Sequence, residues 1–265
     1  MDHILARARE VAIEAVARAR EAASERARSM MTVSAKGRQG DVVTDIDRTS
    51  ECMMIAAIKS AFPEHGIVSE ETGELGGSQE WVWHIDPLDG TNNVVLGLPI
   101  FGSCITLCHT NEPVVAAIYA GHEDAIYSAV KGQGAFRDGV PIGLKNGGPP
   151  ERVTVSWIQG YGVQSDDPIR RRTLDALERR FKRTLGLWAP SVDWALLAKA
   201  RIGAVVSYEN EREDLLGGVL IAVEAGAVVT DFSGKAVTDV YNNSQLVIAL
   251  PEVSADIAAA LSEPS

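Results

Sequence analysis

Apolar residues near the start of the chain recur at helical spacing. Ile4, Leu5, Ala8, Val11, Ala12, Ala15, Val16 and Ala19 fall on one face of a 3.6-residue repeat, which predicts an amphipathic helix over residues 4–29. Lys36-Gly37-Arg38-Gln39-Gly40 reads as a loop or hairpin tip. A second helix is expected over 46–61, ended by Pro63. Residues 66–69 and 81–85 are short strand-like runs that each lead into acids. Residues 102–108, 113–120 and 125–130 are apolar segments separated by turn residues, the pattern of hairpin-linked strands. Gly132–Gly139 reads as a glycine-rich turn region.

The stretch Lys145-Asn146-Gly147-Gly148-Pro149-Pro150 is the expected boundary between an N-terminal half, 1–146, and a C-terminal half, 147–265. Beyond it, strand and helix patterns alternate. Strands are expected at 152–158, near 185–188, and at 203–208, 227–230 and 246–249. Helices are expected at 167–183, 191–200, 214–225 and 252–262. The expected organisation is an α+β half joined to an α/β half.

Composition narrows the class of protein. Of the 265 residues, 46% are hydrophobic, which suits a folded globular chain. Acids outnumber basic residues 36 to 25, giving a formal charge of −11. That balance argues against general binding to nucleic acid or to an anionic membrane, because phosphate repels a net anion. It leaves open a small anionic substrate, because metal ions can invert the field inside a cleft. The three cysteines, Cys52, Cys104 and Cys108, form no C-x-x-C pair and are expected to be buried, reduced thiols. The start of the chain has neither a signal-peptide pattern nor an apolar run long enough to span a bilayer, so a cytoplasmic location is expected.

Candidate chemistry centres on Trp83-His84-Ile85-Asp86-Pro87-Leu88-Asp89-Gly90-Thr91-Asn92-Asn93. A strand is followed by two aspartates three residues apart. Pro87 fixes one backbone angle between them, and Gly90 permits a tight turn. Both carboxylates and the Leu88 carbonyl can then face one space, an oxygen-only donor set suited to Mg²⁺ or Mn²⁺. Thr91 and the N–H groups of a following helix start suit a phosphate. Taken alone, the same pattern also fits an Asx-type turn that caps a helix. Two more acidic clusters shift the balance towards a metal site: Ser69-Glu70-Glu71 after a strand, and Asp41-Val42-Val43-Thr44-Asp45-Ile46-Asp47 at a helix start.

With these segments and Glu213-Asp214-Leu215-Leu216-Gly217-Gly218, followed by Glu224-Ala225-Gly226, the chain resembles the inositol monophosphatase-like family of magnesium-dependent, lithium-sensitive phosphatases. The Gly134-Ala135-Phe136 turn is also similar, and the resemblance covers nearly the whole chain. It implies a layered α-β-α-β-α sugar-phosphatase fold with the active site between two halves. It implies that Glu70, Asp86 and the Leu88 carbonyl hold one metal, that Asp86, Asp89 and Asp214 hold a second, and that Glu70 can serve a weaker third. Asp47 and Thr91 would orient or deprotonate the attacking water, and Gly90 and Thr91 would offer backbone amides to the phosphate. The cofactor so implied is Mg²⁺, two or three ions, with Mn²⁺ as a possible substitute. A homodimer and a small phosphorylated substrate are implied in the same way.

The pattern departs from the family where substrate is chosen. Glu213 stands where a bulky aromatic is usual, and Trp188-Ala189-Pro190-Ser191-Val192-Asp193 replaces a Gly-Ser-Ala-like segment. These changes point away from plain inositol phosphate. Glu209, Glu211 and Glu213 could contact sugar hydroxyls or an ammonium group, which brings histidinol phosphate or an aminated sugar phosphate into range; they equally fit a solvated helix start. The arginine-rich stretch 167–183 allows a regulatory RNA- or protein-binding role with residual phosphatase activity, although a solvated helix face explains it more simply. The histidines show no metal-like spacing, and the tryptophans and tyrosines read mostly as core.

Overall fold

The computed structural model describes residues 1–26, 32–36, 41–144 and 149–262. The hairpin tip at 37–40, the end of the first expected helix at 27–29 and most of the expected boundary, 145–148, lie outside the described residues. The first helix, α1 (Asp2–Arg26), buries Leu5, Ala8, Val11, Ala12, Ala15, Val16 and Ala19 along the expected stripe, while Ile4 at its start stays exposed. A short hairpin, β1 (Val33–Lys36) and β2 (Asp41–Thr44), leads into α2 (Asp45–Ala61). Cys52 falls off the buried stripe of α2 and is exposed, contrary to expectation, while Cys104 is half-buried and Cys108 buried.

An eight-stranded sheet follows. Its strands are β3 (His65–Ser69), β4 (Gly73–Glu74), β5 (Ser78–Asp89), β6 (Gly102–His109), β7 (Glu112–Ala120), β8 (Ala125–Val130), β9 (Ala135–Arg137) and β10 (Val140–Ile142). Only a five-residue helix, α3 (Thr91–Val95), interrupts the run. The spatial order is β10-β9-β8-β7-β6-β5-β3-β4, with β3 and β5 parallel and the other pairs antiparallel. The glycine-rich region read as turns thus supplies β9, the strand next to the edge strand β10. Its turn is fixed from afar, since Gly132 N and Gly134 N donate to the Glu224 carboxylate at 2.7 and 2.8 Å.

The remaining chain gives β11 (Thr154–Gln159), α4 (Pro168–Arg180), β12 (Arg183–Leu185), α5 (Pro190–Ala198), β13 (Ala204–Tyr208), α6 (Arg212–Glu224), β14 (Val228–Asp231), β15 (Gln245–Ala249) and α7 (Pro251–Ser262). These strands form a five-stranded mixed sheet in the order β12-β11-β13-β15-β14.

Three apolar clusters define the layers. Helices α1 and α2 pack on one face of the large sheet through Val11, Met54, Trp83 and Leu107. Between the sheets, Trp194 and Leu197 of α5 and Leu215 and Ile221 of α6 meet Ile118 and Val205. On the outer face of the small sheet, Leu177 of α4 and Ile257 of α7 cover Val155 and Val206. The fold is therefore the expected mixed, layered α-β-α-β-α arrangement. No helix among the described residues is long and apolar enough to cross a membrane.

Helix α6 sits close against its neighbours because Gly217 and Gly218 carry no side chain. A Cβ on Gly217 would lie 2.7 Å from Cys104 Sγ, and one on Gly218 would lie 2.0 Å from the Trp194 ring. Trp194 Nε1 in turn donates to the Asp214 carbonyl at 3.1 Å, which fixes the first turn of α6.

Candidate active site

The strand β5 runs through the Asp-Pro-Leu-Asp segment instead of ending before it. Asp86 pairs with Cys104 and Asp89 with Gly102, so the ladder slips between the two aspartates. Pro87 explains the slip, because it has no N–H to donate there. Leu88 N donates instead to Asp86 Oδ1 at 3.1 Å. Gly90 then adopts φ +83°, and a Cβ there would lie 2.8 Å from the Ile100 carbonyl, so both its conformation and its surroundings favour glycine. The chain leaves this turn directly into α3.

Thr44 caps α2, and Asp47 answers as the other member of a capping box, with Thr44 N 2.7 Å from Asp47 Oδ2. Asp47 Oδ1 faces the other way and lies 2.9 Å from Thr91 Oγ1, a donor within reach of both that carboxylate and the Leu88 carbonyl. Burial raises the pKa of Asp47, although its hydrogen bonds with Thr44 and Thr91 pull the other way.

Glu70 leaves the end of β3, next to β5 in the sheet, and Asp214 comes from the first turn of α6. A cavity of about 470 Å³ opens where these elements meet, and Glu70, Asp86, Leu88, Asp89, Gly90, Thr91, Glu213 and Asp214 all line it. The acids repel one another in a confined space. Burial, then Glu70, Asp89 and Asp214, push the Asp86 pKa well above the usual range. Burial is also the main cause for Asp89, raised to about 6 even though Ser191 donates to it, and for Asp214, raised to about 8. Lys36 Nζ donates to Glu70 and Glu71 at 2.6 and 2.7 Å. Burial works against the Lys36 ammonium, but these two carboxylates overcome it and raise its pKa.

This donor set fits a hard divalent cation. It offers carboxylate and carbonyl oxygens only, and the like charges on its floor need a positive partner. Among the described residues lining the cavity, Arg170 carries the one basic side chain. No three acidic, histidine or cysteine side chains among the described residues close on a single point; the acids share a space around it.

Other candidates fall differently. Glu209 does not line the cavity; its backbone is held by Ser244 and packs against Gly160. Glu211 and Glu213 do line it. His84 Nδ1 lies 3.8 Å from Glu213 Oε1, with its pKa lowered by burial despite that carboxylate. The arginines of α4 are largely engaged within the chain: Arg171 with the Ser165 carbonyl, Arg179 with Asp175, and Arg180 with Glu151 and Asp256.

Sequence reasoning named the Trp188–Asp193 segment but not the contacts it makes, and it missed several lining residues. Ser191 N donates to Asp89 Oδ2 at 2.5 Å, tying the start of α5 to the turn. Asp193 is fully buried against Ser156 Oγ at 2.5 Å. Trp157, Gln159, Tyr161 and Arg170 line the outer cavity, and no local motif marks them.

The inositol monophosphatase family profile matches residues 4–264. The chain belongs to the inositol monophosphatase family. A putative Nus factor SuhB of Neisseria meningitidis is 33% identical over 199 residues, covering 74% of this chain and 75% of the relative. A fructose-1,6-bisphosphatase/inositol-1-monophosphatase of Aquifex aeolicus is also 33% identical over 199 residues, with 72% of each chain covered. The solved extragenic suppressor protein suhB of Bartonella henselae superposes with a TM-score of 0.87 at 23% identity, over 97% of this chain and 98% of that one, which shows the shared fold.

Proposed function

We propose that this family member hydrolyses a small phosphate monoester, an inositol, sugar or cyclitol phosphate, in a Mg²⁺-dependent reaction. The observation that carries the reading is the convergence of Glu70, Asp86, the Leu88 carbonyl, Asp89 and Asp214 on one cavity beside the Gly90–Thr91 turn. When bound, two or three Mg²⁺ ions, or Mn²⁺ in their place, would neutralise phosphate charge and lower the pKa of a water. Glu70, Asp86 and Leu88 O would hold one ion, and Asp86, Asp89 and Asp214 a second. In this reading the site straddles residues 1–146 and 147–265, with Asp214 the second part's contribution.

The chain's own residues would then position and deprotonate. The Gly90 and Thr91 amides would orient the phosphate. Thr91 Oγ1 would take the proton of an attacking water and pass its own to Asp47, 2.9 Å away. The raised pKa of Asp47 suits a group that must accept that proton. The water oxygen bonds to phosphorus as the bond to the alcohol oxygen breaks; the departing alkoxide takes a proton from solvent water, and Asp47 returns its proton to solvent. No activated serine or cysteine is needed. Burial and the neighbouring acids raise the pKa of Cys104, which disfavours its thiolate.

A second reading, an amine-bearing ester such as histidinol phosphate, draws support from Glu178, Glu211 and Glu213 on the cavity wall. A phosphate-release screen over a panel of monoesters tests both. Release should require Mg²⁺, stop in EDTA and fall with Li⁺. Absence of release from every ester at saturating Mg²⁺ would overturn the phosphatase reading.

A further inference from the structure

Beyond the carboxylates, the cavity wall carries two exposed aromatic rings that the phosphate chemistry does not use. Tyr161 is 52% exposed and Trp188 55%, and both line the cavity. Their ring centroids lie 6.0 Å apart at 41°. Two half-exposed rings side by side in a cleft form a ready surface for a flat group.

Trp188 is held next to the phosphate turn by three separate contacts. Asn93 Nδ2 donates to the Leu187 carbonyl at 2.8 Å, on one side of Trp188. On the other side, Ala189 packs against Gly90, so closely that a glycine Cβ would lie 3.0 Å from its methyl. Ser191 N donates to Asp89. The segment is thus clamped to residues 89–93, and Trp188 itself takes a left-handed backbone with φ +53°. Polar groups line the same cavity. Gln159 Oε1 accepts from Trp157 Nε1 and from Arg170 Nε, both at 2.8 Å, and Arg170 and Gln159 line the same cavity.

We infer that Tyr161 and Trp188 select a phosphate ester that carries a planar heteroaromatic ring close to its phosphate. The ring stacks on this pair and presents its edge to Arg170 and Gln159. The inference rests on the phosphatase reading for its substrate. Imidazole in histidinol phosphate and the base of a nucleoside monophosphate share this chemistry.

The test compares kcat/KM with Mg²⁺ for histidinol phosphate, nucleoside 2′-, 3′- and 5′-monophosphates, inositol phosphate and a hexose phosphate. A ring-bearing ester should be preferred over the ringless ones by about tenfold or more, the scale of one stacked base. Trp188→Ala and Tyr161→Ala should each erode that ratio severalfold, mainly through KM, and Trp188→Phe should restore most of it. Equal rates on ringless esters, or a ratio that both alanine variants leave unchanged, would overturn the inference and leave the phosphatase reading standing. If no ester is cleaved, the stacking is judged by NMR on the unphosphorylated ring compounds. Upfield ring-proton shifts lost in Trp188→Ala support it, and their absence overturns it.

Discussion

The inner and outer parts of the cavity are built in contrasting ways. The inner part hangs on the end of β5 and the turn that follows it, where residues 86–91 supply two carboxylates, a carbonyl and the turn. Hydrogen bonds that each use at least one side chain hold the surrounding elements in place: Ser191 N to the Asp89 carboxylate, Thr91 Oγ1 to Asp47, and Trp194 Nε1 to the Asp214 carbonyl. The outer part is assembled from positions scattered between residues 157 and 213, on strand ends, α4 and the segment before α5. The inner part concentrates repulsion that a bound metal ion or an added proton relieves. The outer part mixes Arg170 with Glu178, Glu211 and Glu213 around exposed rings, a surface that carries charges of both signs with acids in excess. A site whose chemistry is fixed and whose substrate varies would be divided this way, with rigid placement where bonds break and adaptable side chains where the substrate is chosen.

The contrast is most exposed to failure at the inner carboxylates. Asp89→Asn and Asp214→Asn should each lower Mg²⁺-dependent phosphate release by more than about a hundredfold, since loss of a direct ligand should exceed the 10–100-fold cost of losing a ligand's hydrogen-bonded support. The same changes remove a buried like charge, so the metal-free Tm should hold or rise. Full activity in either variant at saturating Mg²⁺ would sink the two-metal assignment. A collapse of Tm would instead show that these acids serve the fold.

The pH dependence of stability follows from the burial of these acids, with their mutual repulsion added. The pKa of Asp89 is raised to about 6 and that of Asp214 to about 8, both above the unfolded value. A raised carboxylate contributes stability that is fully present below the unfolded pKa, near 4, and lost as pH rises through the folded pKa. The metal-free protein should therefore lose stability between about pH 4 and pH 8. For Asp89, which is almost fully buried, the effect is on the order of 3 kcal/mol, or several degrees in Tm. Mg²⁺ binds the ionised forms, so its stabilisation should grow over the same range. Thermal melts with EDTA and with Mg²⁺ at pH 5, 6.5 and 8 measure both slopes. A metal-free Tm that stays flat across them would show that the acids do not share one space.

How much of this was legible in the chain depends on how local each feature is. The layers follow from periodicity: the α1 stripe and the alternating strands needed no tertiary information. The inner site was legible because Asp86 to Thr91 are consecutive and Pro87 and Gly90 restrict the backbone between them. Two details escaped even there. The strand continues through the aspartates because the loss of one ladder bond at Pro87 is absorbed by a slip in register. Lys36, noted only as part of a hairpin tip, reaches Glu70 and Glu71, 34 and 35 residues away. The outer site was legible only in part, at Trp188, Pro190, Glu211 and Glu213, because contacts such as Gln159 with Arg170, or Tyr161 beside Trp188, join residues with no fixed spacing. Tyr161 read as core on residue type alone, while Trp188 stood in the segment expected to alter substrate choice; both rings are half exposed. Glu209 shows the reverse error, since its acidic context suggested the site while its backbone turns it away.

The smallest expected effect lies at the rim, where Glu213 tests whether the outer part discriminates by charge. Its side chain is 52% exposed and lies 3.8 Å from His84 Nδ1. Burial lowers the pKa of His84, so the imidazole is mainly neutral near pH 7 and leaves the Glu213 charge uncompensated on that side. An exposed carboxylate facing a substrate ammonium is worth about 0.2–1 kcal/mol, because water screens the pair. Glu213→Gln should therefore raise KM for histidinol phosphate up to about fivefold relative to inositol phosphate, with the difference shrinking at high salt. Steady-state kinetics on the two esters at low and high ionic strength read that ratio directly. A ratio that does not move removes Glu213 from substrate choice and leaves discrimination to the aromatic pair; a shift of a hundredfold would mean that Glu213 acts as part of the inner site, and that the division between the two regions is drawn in the wrong place.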